Sequence, residues 1–260
     1  VNEQTGEAHY AFRRKGGDRL PWFTHLAGNL VKGGLLPLTK REWSGMENVP
    51  LDGPVIMVWN HYSDFDPLPV AHFAYNTGRH PRFLLKHSLV KIPVLGPMIR
   101  ATEQIPVYRG SADAAESLRE AIAILKRGGS VVLSPEGTVT KEPDRWPMRG
   151  KTGVARLVME TGAPVVPIVQ WGSLEIHDRK RDPKFRLGMR KKVTVAALPA
   201  VDLSEWDGAE ITRENLTAIT DRIMEALSGG LAEMRGEAAP PLFDPRQNRK
   251  QQSEESEPNE

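Results

Sequence analysis

The sequence predicts an α/β protein: a single mostly parallel sheet sandwiched by helices. Three observations carry this expectation. Short apolar runs, at 54–59, 131–133 and 165–170, are continuous rather than alternating, as strands buried on both faces are. Between them lie stretches with helical apolar spacing, several closed by glycine. From residue 51 to 200 the two kinds of segment alternate, which is the order of strand–helix–strand crossovers. The 260 residues suffice for one large domain with a sizeable core.

Taken in order, residues 1–19 are polar and read as a flexible N-terminus. In 20–40, Trp22, Phe23, Leu26, Leu30, Val31, Leu35 and Leu36 recur at near-helical spacing. Between positions 11 and 41 the bases Arg13, Arg14, Lys15, Arg19, Lys32, Lys40 and Arg41 face one acid, Asp18. A basic amphipathic helix bearing aromatics can lie in a membrane interface, or pack on the domain with its charges in water. Gly28, Gly33 and Gly34 weaken the helix. Strand 54–59 leads through a turn to a helix at 66–76, where Asp66 and Pro67 fit an N-cap and first helical position. Strand 82–86 follows, then a Pro- and Gly-marked helical piece at 92–99 and a short strand at 105–108. A helix at 111–127 ends at Gly128 and Gly129. Strand 131–133, a helix at 152–160 stopped by Gly162, and strands 165–170 and 193–198 complete the alternation. A last amphipathic helix, 212–234, reads as interrupted near Gly229 and Gly230. The domain thus spans 20–235. From Gly236 the chain is polar, with Pro240, Pro241, Pro245 and a Glu-rich end, and reads as a disordered tail, 236–260.

A formal net charge of +2 gives no reason to expect nucleic acid as a partner. The absence of cysteine excludes disulfides, thiolate metal sites and an acyl-cysteine intermediate. The N-terminal residues lack a secretory pattern, and no apolar stretch is long enough to span a bilayer.

Chemistry concentrates where strands end. Asn60-His61-Tyr62-Ser63-Asp64-Phe65-Asp66 follows strand 54–59, so a base and a carboxylate lie five positions apart at a turn. If Asp66 orients His61, the imidazole can take a proton from a hydroxyl; otherwise Asp66 is only a helix cap. His177 and Asp182 repeat the spacing in a charged loop with no strand leading into an asparagine, which shows how little spacing alone decides. Ser134-Pro135-Glu136-Gly137-Thr138 follows strand 131–133 and suits either a ligand-holding loop or an ordinary turn. Lys86 and Arg109 stand at the ends of two further strands, where cations can bind phosphate. Arg149-Gly150-Lys151-Thr152 looks like the end of a P-loop, but Arg145 stands where the first glycine is required, so it is set aside. No Gly-x-Ser-x-Gly elbow occurs. The histidines at 9, 25, 72, 80 and 87 lack metal-ligand spacing, and no metal or cofactor is expected.

Taken together and in order, these blocks resemble the glycerolipid acyltransferase family that contains the 1-acyl-sn-glycerol-3-phosphate acyltransferases. Its Asn-His-x-Ser-x-x-Asp block matches positions 60–66, its Ile-x-x-x-Arg block 105–109, and its Pro-Glu-Gly-Thr block 135–138. Its Val-Pro-rich strand matches 163–168, and an upstream Gly-x-Glu-Asn-x-Pro matches 45–50. Val139 stands where many members carry Arg, with Lys141 or Arg145 as substitutes, and Tyr108 replaces a common acid. These departures leave the acceptor head group open. The resemblance implies acyl transfer from acyl-CoA or acyl carrier protein, as co-substrate, to the sn-2 hydroxyl of a lysophospholipid, 1-acyl-sn-glycerol 3-phosphate, giving phosphatidic acid. The alternatives are the same chemistry on glycerol 3-phosphate, another lysophospholipid or a glycolipid, or a non-catalytic lipid-binding protein. It implies His61 as general base and Asp66 as its orienting partner. Asn60, Ser63, Lys86, Arg109, Glu136, Gly137 and Thr138 would hold the substrate, with Glu136 better suited to orienting Arg109 or a backbone amide than to touching a phosphate. A lipid acceptor favours the membrane-contacting reading of 20–40, and a peripheral place on the cytoplasmic face of the cell membrane. The stretch 179–192, with eight basic residues, is a second place for anionic lipid or CoA phosphates.

Overall fold

The computed structural model describes residues 20–107, 111–178, 181–182, 184–186 and 188–245. The expected flexible N-terminus at 1–19, Arg109 with its neighbour Tyr108, and the end of the expected tail at 246–260 lie outside them.

Seven strands form one sheet: β1 (Thr39–Ser44), β2 (Val55–Trp59), β3 (Arg82–Lys86), β4 (Ile105–Val107), β5 (Ser130–Leu133), β6 (Val165–Trp171) and β7 (Lys191–Ala197). Their order is β1-β7-β6-β2-β5-β3-β4. Every neighbouring pair is parallel except β6 with β7. The helices are α1 (Trp22–Leu35), α2 (Pro67–Asn76), α3 (Leu95–Ala101), α4 (Ser111–Lys126), α5 (Gly153–Thr161) and α6 (Arg213–Arg235).

β2 lies at the centre because nothing in it needs water: all five of its residues are buried. Successive side chains leave a strand on opposite faces. Val55, Met57 and Trp59 join Phe73 and Ala74 of α2 and Leu35 of α1 in one core. Ile56 and Val58 join Leu125 of α4, Leu157 of α5 and Ile223 and Leu227 of α6 in the other. Two apolar layers, one on each face, are what a parallel sheet requires.

The one antiparallel pair decides what surrounds the site. β2, β3, β4, β5 and β6 all end at the same edge. Because β7 runs back along β6, the connection between them leaves from and returns to that edge. β1 is parallel to β7 and therefore starts there too, which brings the end of α1 to it. Two hydrogen bonds fasten this corner: Lys191 N–H to Leu38 O at 2.8 Å and Arg190 Nε to Thr39 O at 2.9 Å.

The expected elements are present, with four corrections. β1 was not foreseen: Thr-Lys-Arg-Glu-Trp-Ser has neither an apolar run nor alternation, and as an edge strand it needs only one good partner. Its first residues, Thr39 and Lys40, fall in the segment read as helical and membrane-contacting, which ends at Leu35 as a helix. The piece expected at 92–99 is preceded by a 3-10 turn, His87–Lys91, and is α-helical only from Leu95, as α3. α6 runs unbroken through Gly229 and Gly230. Gly230 is there for approach, not for a break: a Cβ on it would lie 2.3 Å from Leu198 Cδ1 and 3.1 Å from Val169 Cγ1. The chain after Gly236 is ordered as far as Pro245, where Phe243 bridges to Met148 and accepts the Arg149 N–H at 2.9 Å.

Candidate active site

β2 ends at Trp59 and the chain turns before α2. Asp66 occupies the position before Pro67, as the sequence predicts for a helix start, but it caps nothing in the helix. Its carboxylate faces backward. Oδ2 accepts the N–H groups of Tyr62 at 2.7 Å and Ser63 at 2.6 Å, and meets His61 Nδ1 at 3.2 Å. The turn therefore curls around the carboxylate, which is how residues five apart come to touch. Asp66 is fully buried and His61 is 17% exposed, so the imidazole faces outward and its partner inward. A carboxylate at Nδ1 keeps the ring proton there and leaves Nε2 as the acceptor. The face of the imidazole leans on Trp59, ring centroids 4.6 Å apart.

Glu136 lies behind this turn. It is 2% exposed, and both its oxygens are taken by backbone: His61 N–H at 2.8 Å and Met148 N–H at 3.2 Å. Burial pushes its carboxyl up to about 8, against the pull of these two hydrogen bonds and with a further upward push from the charge of Asp66. Glu136 cannot hold a substrate from there; it holds His61. Asn60 and Ser63 are corrected in the same way. Asn60 exchanges hydrogen bonds with the Gln170 backbone, Nδ2 to the carbonyl at 3.1 Å and Oδ1 from the N–H at 2.9 Å, and so prolongs the β2–β6 pairing by one residue. Ser63 Oγ donates to the His177 carbonyl at 2.8 Å. Both are buried, and they position the turn instead of meeting a ligand.

Further contacts complete the frame. Thr140 N–H donates to the His61 carbonyl at 2.6 Å. Arg145 donates to the Tyr62 carbonyl at 3.4 Å and to Asp178 at 3.2 Å, and Ser173 N–H donates to the Tyr62 hydroxyl at 3.1 Å. Arg145 is thus engaged within the protein, while Lys141 is exposed. The rival His177 does not form a second pair of this kind: its ring stacks on Phe185 at 4.4 Å.

Gly137 and Thr138 lie at the surface beside this frame. Gly137 has φ +67°, and a Cβ there would lie 2.9 Å from Lys151 Nζ, so the lysine amine sits directly over the glycine. Lys151 was passed over in the sequence as a false P-loop; its position after the Pro-Glu-Gly-Thr loop was the signal. Lys151 N–H also donates to Pro135 O at 2.8 Å. Lys86 is exposed at the end of β3, the strand beside β5. Gln170 was missed as well, although an amide inside the apolar run of β6 marks a polar partner nearby. Arg109 lies outside the described residues.

The chain is 31% identical over 144 residues to a chloroplast 1-acyl-sn-glycerol-3-phosphate acyltransferase of Brassica napus, covering 55% of this chain and 40% of that protein. It is 28% identical over 186 residues to a 1-acyl-sn-glycerol-3-phosphate acyltransferase of Borreliella burgdorferi, covering 71% and 70%. The chain thus spans under half the length of the plant relative and more than two thirds of the bacterial one. Its fold matches the crystal structure of a 1-acyl-sn-glycerophosphate acyltransferase from Thermotoga maritima with a TM-score of 0.58 and 26% identity, over 85% of this chain and 80% of that one. A model of the family described as Acyltransferase matches residues 40–171, just over half of the chain, from within β1 to the end of β6. By that match the chain belongs to the acyltransferase family.

Proposed function

We propose that this protein moves a fatty acyl group from acyl-CoA or acyl carrier protein to the sn-2 hydroxyl of 1-acyl-sn-glycerol 3-phosphate, forming phosphatidic acid. The observation that carries the proposal is the His61–Asp66 pair at the end of β2, with Nε2 of a part-exposed imidazole turned from its buried carboxylate. The names of the relatives support the acceptor class. In the proposed reaction His61 takes the hydroxyl proton as the oxygen attacks the thioester carbonyl. The tetrahedral intermediate then expels the thiolate, which takes the proton back from the imidazolium. Ester and free thiol leave, and no acyl-enzyme is needed. Asp66 holds the ring tautomer and stabilises the imidazolium. Lys86, Lys151 and Arg109 are the cations proposed for the acceptor phosphate, with a share for the backbone and hydroxyl of Gly137 and Thr138.

The acceptor is a lipid, and the proposal gives α1 the task of meeting its membrane. Trp22 is 65% and Leu30 62% exposed, and Phe23 and Leu26 between them are also in water. Their spacing places them along one side of the helix, while Thr24 and Leu35 are turned into the protein. No helix among the described residues is long and apolar enough to cross a membrane. A surface-lying helix, peripheral on the cytoplasmic face, suits this pattern.

The test is direct. Purified protein is given a labelled acyl-CoA with lysophosphatidic acid, glycerol 3-phosphate, a second lysophospholipid or a glycolipid, and the product is identified. Labelled phosphatidic acid is expected, and His61→Ala is expected to lower its rate at least about 10³-fold with the fold intact. Failure to acylate lysophosphatidic acid overturns the acceptor assignment, and full turnover by His61→Ala overturns the mechanism.

A further inference from the structure

The active turn is held by two indoles, and one side chain lies between them. Arg235, the last residue of α6, places its guanidinium carbon 4.2 Å from the centroid of Trp146 and 4.4 Å from that of Trp171. It is largely buried, with its end anchored by Nη1 to the Asp144 carbonyl at 2.9 Å and by Nη2 to Glu237 at 2.7 Å. A planar cation between two aromatic faces is an arrangement that lysine cannot reproduce.

Both indoles lead to the catalytic pair. Trp171 ends β6 and packs on Tyr62, ring centroids 4.9 Å apart. The Tyr62 backbone N–H is one of the two that hold Asp66. The Trp146 backbone is bonded on both sides to the loop after Glu136: its amide N–H donates to the Glu142 carboxylate at 2.8 Å, and its carbonyl accepts from Thr140 Oγ1 at 2.8 Å. Thr140 in turn donates to the His61 carbonyl. One route therefore reaches Asp66 and the other His61, and Arg235 joins their far ends. That residue lies well past the segment 40–171 matched by the family model.

We infer that Arg235 is a positioning residue: its stack between Trp146 and Trp171 sets the geometry of the His61–Asp66 turn without touching substrate. The inference rests on the reading of that pair as the reacting one, and it has a readout that needs no substrate. Hydrogen–deuterium exchange, resolved by peptide, is measured on the full chain for wild type, Arg235→Met, which keeps a side chain between the indoles without the planar cation, and Arg235→Lys, which keeps the charge. Arg235→Met is expected to speed exchange at 60–66 and 140–148 about tenfold or more while β2 and β5 stay protected, with Arg235→Lys between it and wild type. In the acyl-transfer assay kcat is expected to fall about tenfold or more with KM for both substrates within twofold. The inference is overturned if exchange at 60–66 is unchanged in both variants, if it rises only in step with the central strands, or if the kinetic loss lies in KM alone. A protein that shows no acyl transfer but still loosens at 60–66 would retain the clamp and overturn the proposed reaction.

Discussion

Glu136 has a measurable consequence at the residue scale. A carboxyl moved from 4.5 to about 8 holds its proton in the folded protein after the unfolded chain has lost it. The sign follows: the folded state binds more protons than the unfolded state between these values, so this contribution is full below about pH 4.5 and is lost as pH rises through about 8. Its size is on the order of 5 kcal/mol, at roughly 1.4 kcal/mol per unit. Glu136→Gln is predicted to lose stability outright, since one amide oxygen cannot accept both backbone N–H groups, and also to flatten the pH dependence. Urea unfolding from about pH 5 to pH 9 checks it; equal slopes for variant and wild type would refute a protonated Glu136. The sequence reads Glu136 as better suited to a backbone amide than to a phosphate, and it accepts two backbone N–H groups; it reads Asn60 and Ser63 as substrate contacts, whereas both are bonded within the protein. Motif letters carry no burial, and all three are buried beneath the surface that a substrate could reach. Asp66 was legible as a helix start, but the backward aim of its carboxylate was not, because it depends on the turn's own dihedral angles.

Among the elements, α1 offers the clearest test. Its side carrying Trp22, Phe23, Leu26 and Leu30 exposes what a water-soluble surface helix would bury. Each large side chain moved from water into an apolar layer contributes about 1.5–3 kcal/mol. The double variant Trp22→Ser with Leu30→Ser is therefore predicted to weaken binding to vesicles of anionic and neutral phospholipid by about a hundredfold, measured by co-sedimentation. Binding equal to wild type would remove α1 from the membrane contact. The seven apolar positions made this helix visible in the sequence, whereas β1 was invisible because its partner across the sheet, β7, lies about 150 residues away in the register Thr39↔Lys191. α6 gave the opposite error. Two adjacent glycines resemble a helix break, and only the neighbouring strand reveals that Gly230 is required for close packing.

For the molecule as a whole, the two edges of the sheet do different work. The chemistry proposed above uses residues where β2 and β5 end, and a buried cation fastens the edge where they begin. Arg79, fully buried, donates to the carbonyls of Pro50 at 2.9 Å, Gly53 at 2.7 Å and Gly128 at 2.9 Å, tying the turns that enter β2 and β5. Arg79→Ala leaves three carbonyls without this donor and is predicted to destabilise the protein by about 3 kcal/mol or more. At temperatures where it stays folded, its KM and kcat should match wild type. Denaturant unfolding beside the acyl-transfer assay checks both halves, and a stable variant would show that water replaces the guanidinium. The alternating sheet was legible in the sequence because every central strand is a local apolar run. The reversal of β7 was not, since no residue type in Lys191–Ala197 encodes a direction.

The partners of the active turn also fix when it can form. The hydrogen bonds that shape residues 60–66 reach across 75 positions to Glu136, 110 to Gln170, 111 to Ser173 and 114 to His177. Contacts so distant along the chain form late, because the intervening loops must close first. A growing polypeptide that has completed β2 and α2 possesses both His61 and Asp66 but only the local bonds of Asp66 to hold the backbone around them. Competence for chemistry is therefore a property of the finished chain, acquired in the closing steps of folding.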